Sequence, residues 1–179
     1  MSWMGYQPPA MQQQQALQQR FFQVDTDRSG QISAEELARA FSSGGQPFPE
    51  KTAKFLIAMF DRNRTGQIGF QEFMALDSFV NRARTSFMAC DTARSGFLNT
   101  QQVPAAMSQV GLPLDPQMCM STMRSFDPYG RGQLDYTGFM TMVAYTGWMK
   151  SIWDWYDPQR TGQMHLNWGQ WLTLGLWLK

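Results

Sequence analysis

At 179 residues the chain can bury a sizeable core, as one compact domain or two closely packed lobes. Its net charge of +1 excludes a general electrostatic affinity for nucleic acid, and no apolar run approaches the roughly 18 residues of a membrane span. The N-terminal MSWMGYQPPAMQQQQ lacks the basic-then-apolar layout of a leader, and Cys90 and Cys119 sit far apart in helix-like contexts. Read as reduced core thiols, they imply the cytoplasm.

Residues 1–16 read as a short flexible tail containing Gln and Pro, and residues 17–179 as the folded part. Leu17, Phe21 and Val24 then fall on one helical face. Asp25 follows and opens a frame in which glycine comes five residues later and an apolar residue seven later. The frame reopens at Asp61, Asp91, Asp127 and Asp157, with apolar positions Ile32, Ile68, Leu98, Leu134 and Met164. This is the skeleton of the 12-residue EF-hand calcium loop. Five loops are therefore predicted at 25–36, 61–72, 91–102, 127–138 and 157–168.

The loop starts are 36, 30, 36 and 30 residues apart, which leaves gaps of 24, 18, 24 and 18 residues. Eighteen residues make one helix of about 27 Å, with no room for a turn. Phe73–Cys90 and Phe139–Tyr156 are thus each predicted as a single helix that leaves one loop and runs into the next. The longer gaps hold two helices and a turn, signalled by Ser42–Pro47 and by Gly111, Leu112 and Pro113. Apolar faces are supplied by Leu37, Ala40 and Phe41, by Leu56, Ile57 and Phe60, and by Phe73 and Leu76. The fold class is all-α, with short β contacts where Ile32 pairs beside Ile68 and Leu98 beside Leu134.

Calcium wants about seven oxygens, and the closing residue at position 12 is ordinarily a bidentate carboxylate. In the first loop the ligands are Asp25, Asp27, Ser29, the Gln31 carbonyl and Glu36, with Ser33 reached through water. The second offers Asp61, Asn63, Thr65, the Gln67 carbonyl and Glu72, and its two carboxylates predict weaker binding than the first loop's three. The third loop has Ala93 at position 3 and Gln102 at position 12. The fourth has Tyr129, Arg131 and Gly138 at positions 3, 5 and 12, and the fifth has Gln159 and Trp168 at positions 3 and 12. The last three are scaffolds, so about two calcium sites per chain are expected, with magnesium as a competitor for the weaker one. The near-neutral charge agrees, since five complete cages would make the chain strongly acidic. His165 has no metal-ligating neighbour in sequence, and no nucleophile–base constellation or phosphate-binding loop appears, so an enzyme is not indicated.

The fifth hand is left without a partner loop. Six of the seven tryptophans lie between Trp148 and Trp177. An odd hand covers its unpaired edge most simply against its own copy, and Met164, Trp168, Trp171, Leu172, Leu176 and Trp177 are the predicted dimer surface.

Five such loops at this alternating spacing resemble the penta-EF-hand family. FFQVDTDRSGQISAEELARAF and FDPYGRGQLDY are similar to its apoptosis-linked branch. The resemblance covers Leu17 to Lys179 and implies eight helices, dimerisation through the fifth hand, and calcium-dependent contact with proteins or membranes. Two departures stand out. That branch uses its third hand as a main calcium site, and it docks partners on tryptophans of the helix between hands two and three. Here the third hand keeps Asp91 and Ser95 but has lost the ligands of positions 3 and 12, and Phe73–Cys90 carries no tryptophan.

The expected function is a calcium sensor and dimeric adaptor, cytoplasmic and membrane-associated when calcium-bound. It pairs as a homodimer or as a heterodimer with another penta-EF-hand protein. Its protein partners are unidentified, with Pro-rich peptides among the candidates. Arg20, Arg28, Arg39, Arg62, Arg64, Arg82 and Arg84 read either as a solvated face or as a contact for an anionic membrane. The rival readings are a calcium-insensitive dimerisation partner and a regulatory subunit of a calpain-like protease.

Overall fold

The computed structural model describes residues 9–42 and 48–177, with side chains from 13 to 42 and from 48 to 172. Among these residues eight helices run in order: α1 Pro9–Val24, α2 Ala34–Phe41, α3 Glu50–Phe60, α4 Phe70–Cys90, α5 Gln102–Val110, α6 Pro116–Arg124, α7 Tyr136–Tyr156 and α8 Trp168–Trp177. Between them lie two short strands, β1 Phe97–Asn99 and β2 Gln133–Asp135.

The helix α1 corrects the expected boundary of the tail. It begins at Pro9, so residues 9–16 are helical; residues 1–8 lie outside the described residues. Gln and Ala are good helix formers without an apolar face, and proline is favoured at the first helical position. On α2 the buried apolar pair is Leu37 and Ala38, and Ala40, expected on the inner face, is exposed. Residues 43–47 of the expected Ser42–Pro47 turn lie outside the described residues. The second turn is closed by Gly111, left-handed at φ 92°, with the Leu112 N–H donating to the Met107 carbonyl at 3.0 Å.

Both 18-residue gaps are single helices, as the arithmetic requires. α4 and α7 start three residues earlier than predicted, inside the loop frames, and each runs 21 residues or about 32 Å. The loops pair as expected. Ile32 and Ile68 form an antiparallel bridge with hydrogen bonds of 2.8 and 3.0 Å, and Leu98 opposes Leu134 across β1 and β2. All four side chains are buried, because each sits at the floor of its loop pair over a shared core.

The principal packing is α7 against α3, α4 against α5 and α2 against α3. Gly147 permits the first of these: a Cβ there would come 2.8 Å from the Met59 Sδ. Phe55 of α3 stacks on Trp148 of α7 at 5.1 Å. Phe21 anchors α1 through edge contacts with Phe70 and Phe73, and Arg20 pairs with the buried Asp77 of α4 at 3.0 Å. Burial pushes the Asp77 carboxyl above its ordinary value, against the opposing pull of Arg20 and the Asn81 amide.

Arg39 is tied to Glu35, Arg64 lies over the Trp155 ring and Arg82 over Phe79. Several of the predicted basic set therefore have partners within the chain. Cys90 and Cys119 are free thiols, half-buried and buried. Among the described residues no helix is long and apolar enough to cross a membrane.

Candidate metal centres

Each loop is first shaped by its leading aspartate. In the first, the Ser29 N–H donates to Asp25 Oδ1 at 3.0 Å and the Gly30 N–H to Oδ2 at 2.9 Å. The same pair of bonds recurs at Asp61, Asp91 and Asp157, and Asp127 takes the Gly132 N–H at 2.7 Å. The sharp turn needs left-handed backbone at the fourth and sixth positions. Glycine supplies the sixth throughout, but the fourth is arginine in four loops: Arg28, Arg64, Arg94 and Arg160, at φ 52 to 58°. A side chain in that region is held there by the bonds around it.

In the first loop the structure brings the predicted carboxylates together. Ligand atoms of Asp25, Asp27 and Glu36 lie within 4.8 Å of one another, the one such acidic group among the described residues. The Ser29 hydroxyl donates to the Gln31 carbonyl at 2.9 Å, which places the oxygens of the fifth and seventh positions side by side. Glu36 is buried and fully engaged. Its Oε1 accepts from the Thr26 N–H and hydroxyl, both at 2.9 Å, and its Oε2 from the Ser33 N–H at 3.0 Å and hydroxyl at 2.9 Å. Burial opposes ionisation of this carboxyl, but the Ser33 and Thr26 donors outweigh it and bring its pKa down to about 2. Hydrogen bonding from Ser29 likewise holds Asp27 below its ordinary value.

Ser33, expected to serve through water, is the N-cap of α2 and forms a capping box with Glu36. Three carboxylates, a hydroxyl and a carbonyl make an all-oxygen set. It suits a hard divalent cation, and calcium fits it.

The second loop repeats the arrangement with fewer ties. Glu72 accepts the Arg62 N–H and the Gly69 N–H, both at 3.0 Å. The Thr65 hydroxyl lies 3.0 Å from Asn63 Oδ1 and 3.1 Å from the Gln67 carbonyl. Contacts through Thr65 gather Asp61, Asn63 and the Gln67 carbonyl, and Glu72 is held at the loop's closing end, so the loop offers two carboxylates rather than three.

The remaining loops are closed by groups of the chain itself. Gln102 accepts the Asn99 N–H at 3.0 Å and donates its amide to the Cys90 carbonyl at 2.9 Å. One neutral side chain thus links the outgoing helix to the incoming one without an ion. In the fourth loop the Asp135 carboxylate caps α7 through the Gly138 N–H at 2.7 Å. A Cβ on Gly138 would stand 3.1 Å from the Phe126 carbonyl and 3.2 Å from Asp135 Oδ1. Gly138→Glu is therefore expected to create no calcium site and to cost about 1–3 kcal/mol by overpacking, read as a lower urea midpoint with unchanged calcium stoichiometry.

The fifth loop departs from its predicted frame. Its cap is Asn167, whose Oδ1 accepts the Gln170 N–H while Gln170 Oε1 accepts the Asn167 N–H. This reciprocal pair lies two residues beyond Ser33 and Glu36 of the first loop, so the closing residue is Gln170 and not Trp168. An Asn-x-x-Gln capping pattern marks it in the sequence. Met164 is half-buried and, unlike the other four apolar positions, belongs to no named strand or bridge. His165 is exposed. Trp168, Trp171 and Leu172 are exposed on α8, whereas the side chains of Leu176 and Trp177 lie outside the described residues.

An EF-hand domain pair matches residues 14–76 and again 80–144. Penta-EF hand domain-containing protein 2 of Dictyostelium discoideum is 36% identical over 86% of this chain and 74% of its own length. The chain belongs to the penta-EF-hand family. Sorcin of Schistosoma japonicum is 33% identical over 88% of this penta-EF-hand chain and 92% of the relative. Peflin of Danio rerio is 29% identical, and the chain spans 58% of that protein's length. Among solved structures, a homolog of programmed cell death 6 protein from Leishmania major Friedlin superposes with a TM-score of 0.62. It is 32% identical, with 93% of this chain and 95% of that one covered. The family is one of calcium-binding proteins, and the all-oxygen first loop accords with it.

Proposed function

We propose that this penta-EF-hand protein is a calcium sensor that acts as a dimeric adaptor for protein or membrane partners. The observation that carries the reading is the convergence of Asp25, Asp27 and Glu36 in the first loop. When bound, calcium would supply the double positive charge that the Asp25, Asp27 and Glu36 carboxylates balance. Glu36 sits in the first turn of α2, so a change in what its carboxylate holds turns that helix against α3. The second loop is the weaker site, where magnesium competes, and the fifth hand joins two chains. The free thiols favour a cytoplasmic setting.

A second reading has its own observation. Three loops are closed by Gln102, by Asp135 over Gly138 and by the Asn167–Gln170 pair, which suits a constitutive dimerisation partner of another penta-EF-hand protein. Calorimetric titration with calcium in magnesium buffer, alongside an apolar-surface dye, separates the two. A sensor shows a tight calcium step, on the order of micromolar, and dye binding that follows it. Absence of heat below the millimolar range sinks the sensor and leaves the scaffold.

A further inference from the structure

Where α3 and α7 diverge beside the second loop they leave a groove of about 760 Å³, within the size range of a ligand site. Its apolar lining includes Ile57 of α3 and Trp148, Ile152 and Trp155 of α7. Trp155 is 69% exposed, with the Arg64 guanidinium 5.2 Å from its ring centre. Lys54, Arg62 and Arg64 supply three cations to the lining against one lining carboxylate, Asp61; Lys54 also pairs with Glu50 of α3 at 2.8 Å, an exposed contact that still leaves the rim net positive. Both Asp61 oxygens are already turned to N–H groups of the second loop. The groove is an apolar slot with a cationic rim, and the Trp155 indole stays largely exposed there beneath Arg64.

We propose that this groove docks an acidic partner peptide, one that sets large apolar side chains between carboxylates. The charge of the rim selects this occupant over the chain's own apolar ends. Residues 1–24 contain no aspartate or glutamate, and neither do residues 158–179. Neither segment, from this copy or a second one, offers acidic side chains to Lys54 and Arg62. A foreign segment with carboxylates does, and its apolar residues would cover Trp155 and Ile152. Because the lining shares Asp61, Thr65 and Gly66 with the second loop, docking and ligation of that loop are linked, each strengthening the other. The inference rests on the adaptor reading and adds to it the site and the chemistry of the partner.

The test uses the full chain and a fluorescein-labelled peptide of Trp, Leu and Glu, with a twin in which every Glu is replaced by Lys. Anisotropy is followed at physiological ionic strength, with calcium and with chelator, and calcium heats are measured on the same sample. The acidic peptide is expected to bind at least about tenfold more tightly than its twin, and more tightly with calcium. Lys54→Glu combined with Arg62→Glu is expected to weaken it about tenfold, as is Trp155→Ala. All three side chains are exposed, so the fold should survive, as circular dichroism will show. Equal binding of the two peptides, or binding untouched by both variants, overturns the proposal. So does a loss of dimer mass in Trp155→Ala, which would mean a second copy fills the groove. Preference for phosphatidylserine vesicles that the peptide cannot displace overturns it in favour of a lipid surface. Calcium heat without peptide binding removes the groove and leaves the sensor; peptide binding without calcium heat removes the sensor and leaves the groove.

Discussion

Glu36→Gln is expected to abolish the tighter calcium step, weakening it about a hundredfold or more, while the chain stays folded. The closing carboxylate brings two oxygens and one of the three negative charges of the first loop, and an amide brings one oxygen and no charge. A hundredfold corresponds to about 2.7 kcal/mol of binding free energy. The third loop shows why folding should survive. Gln102 there accepts the Asn99 N–H and donates to the Cys90 carbonyl, so an amide at the closing position still joins the two helices. Loss of one acceptor oxygen for the Thr26 and Ser33 donors should cost about 1 kcal/mol, because those donors are within reach of water. Calorimetry reads the first effect and urea unfolding the second. A tight step that persists unchanged would remove the first loop as the primary site.

The same substitution has a signature in pH. The folded-state pKa of Glu36, about 2, lies below its ordinary value of 4.5. The stability it contributes is therefore complete above about pH 4.5 and is lost as the pH falls through about 2. Calcium-free Glu36→Gln should show a shallower loss of stability across that window than the parent chain.

What could be read from the sequence was whatever the loop repeat forces. Asp25 and Gly30 must sit five apart for the turn to close, and Ile32 must be buried where the loop meets its neighbour. Those constraints gave the Ile32–Ile68 and Leu98–Leu134 pairings and, through the gap lengths, the single helices α4 and α7. The closing half of the fifth loop was not legible from that frame, because Asp157 and Gly162 anchor only its front. Asn167 and Gln170 set its end by capping, a weaker and shorter signal. The helical residues 9–16 fell within the expected tail for a related reason: their Gln-rich turns have helical propensity but no apolar period. The sealing of the fourth loop depends on the Phe126 carbonyl beside Gly138, and the groove on how α3 crosses α7 at Gly147. Both are contacts between segments distant in the helix order or set by chain packing, which no local pattern encodes.

Trp171→Asp is expected to turn the proposed dimer into a monomer, raising its dissociation constant about a thousandfold. Trp168 is 71% exposed, Trp171 60% and Leu172 49%, all on α8, which takes no part in the principal helix packing. The first four loops satisfy their apolar position in pairs, whereas Met164 belongs to no named strand or bridge. Two copies meeting across a two-fold axis would cover these rings and give each fifth loop the partner the other hands have. Covering one large apolar side chain is worth about 1.5–3 kcal/mol, and the axis counts every substitution twice. Loss of about 2 kcal/mol per copy is about 4 kcal/mol, or close to a thousandfold, before the cost of burying an unpaired carboxylate. Because Trp171 is exposed in the single chain, its replacement should leave the monomer fold and the first-loop calcium step unchanged. Sedimentation equilibrium reads the mass and calorimetry the calcium step. A dimer that persists in Trp171→Asp places the interface away from the fifth hand, and a chain that is monomeric before any substitution ends the adaptor as a homodimer while leaving a heterodimer with another family member as its remaining form.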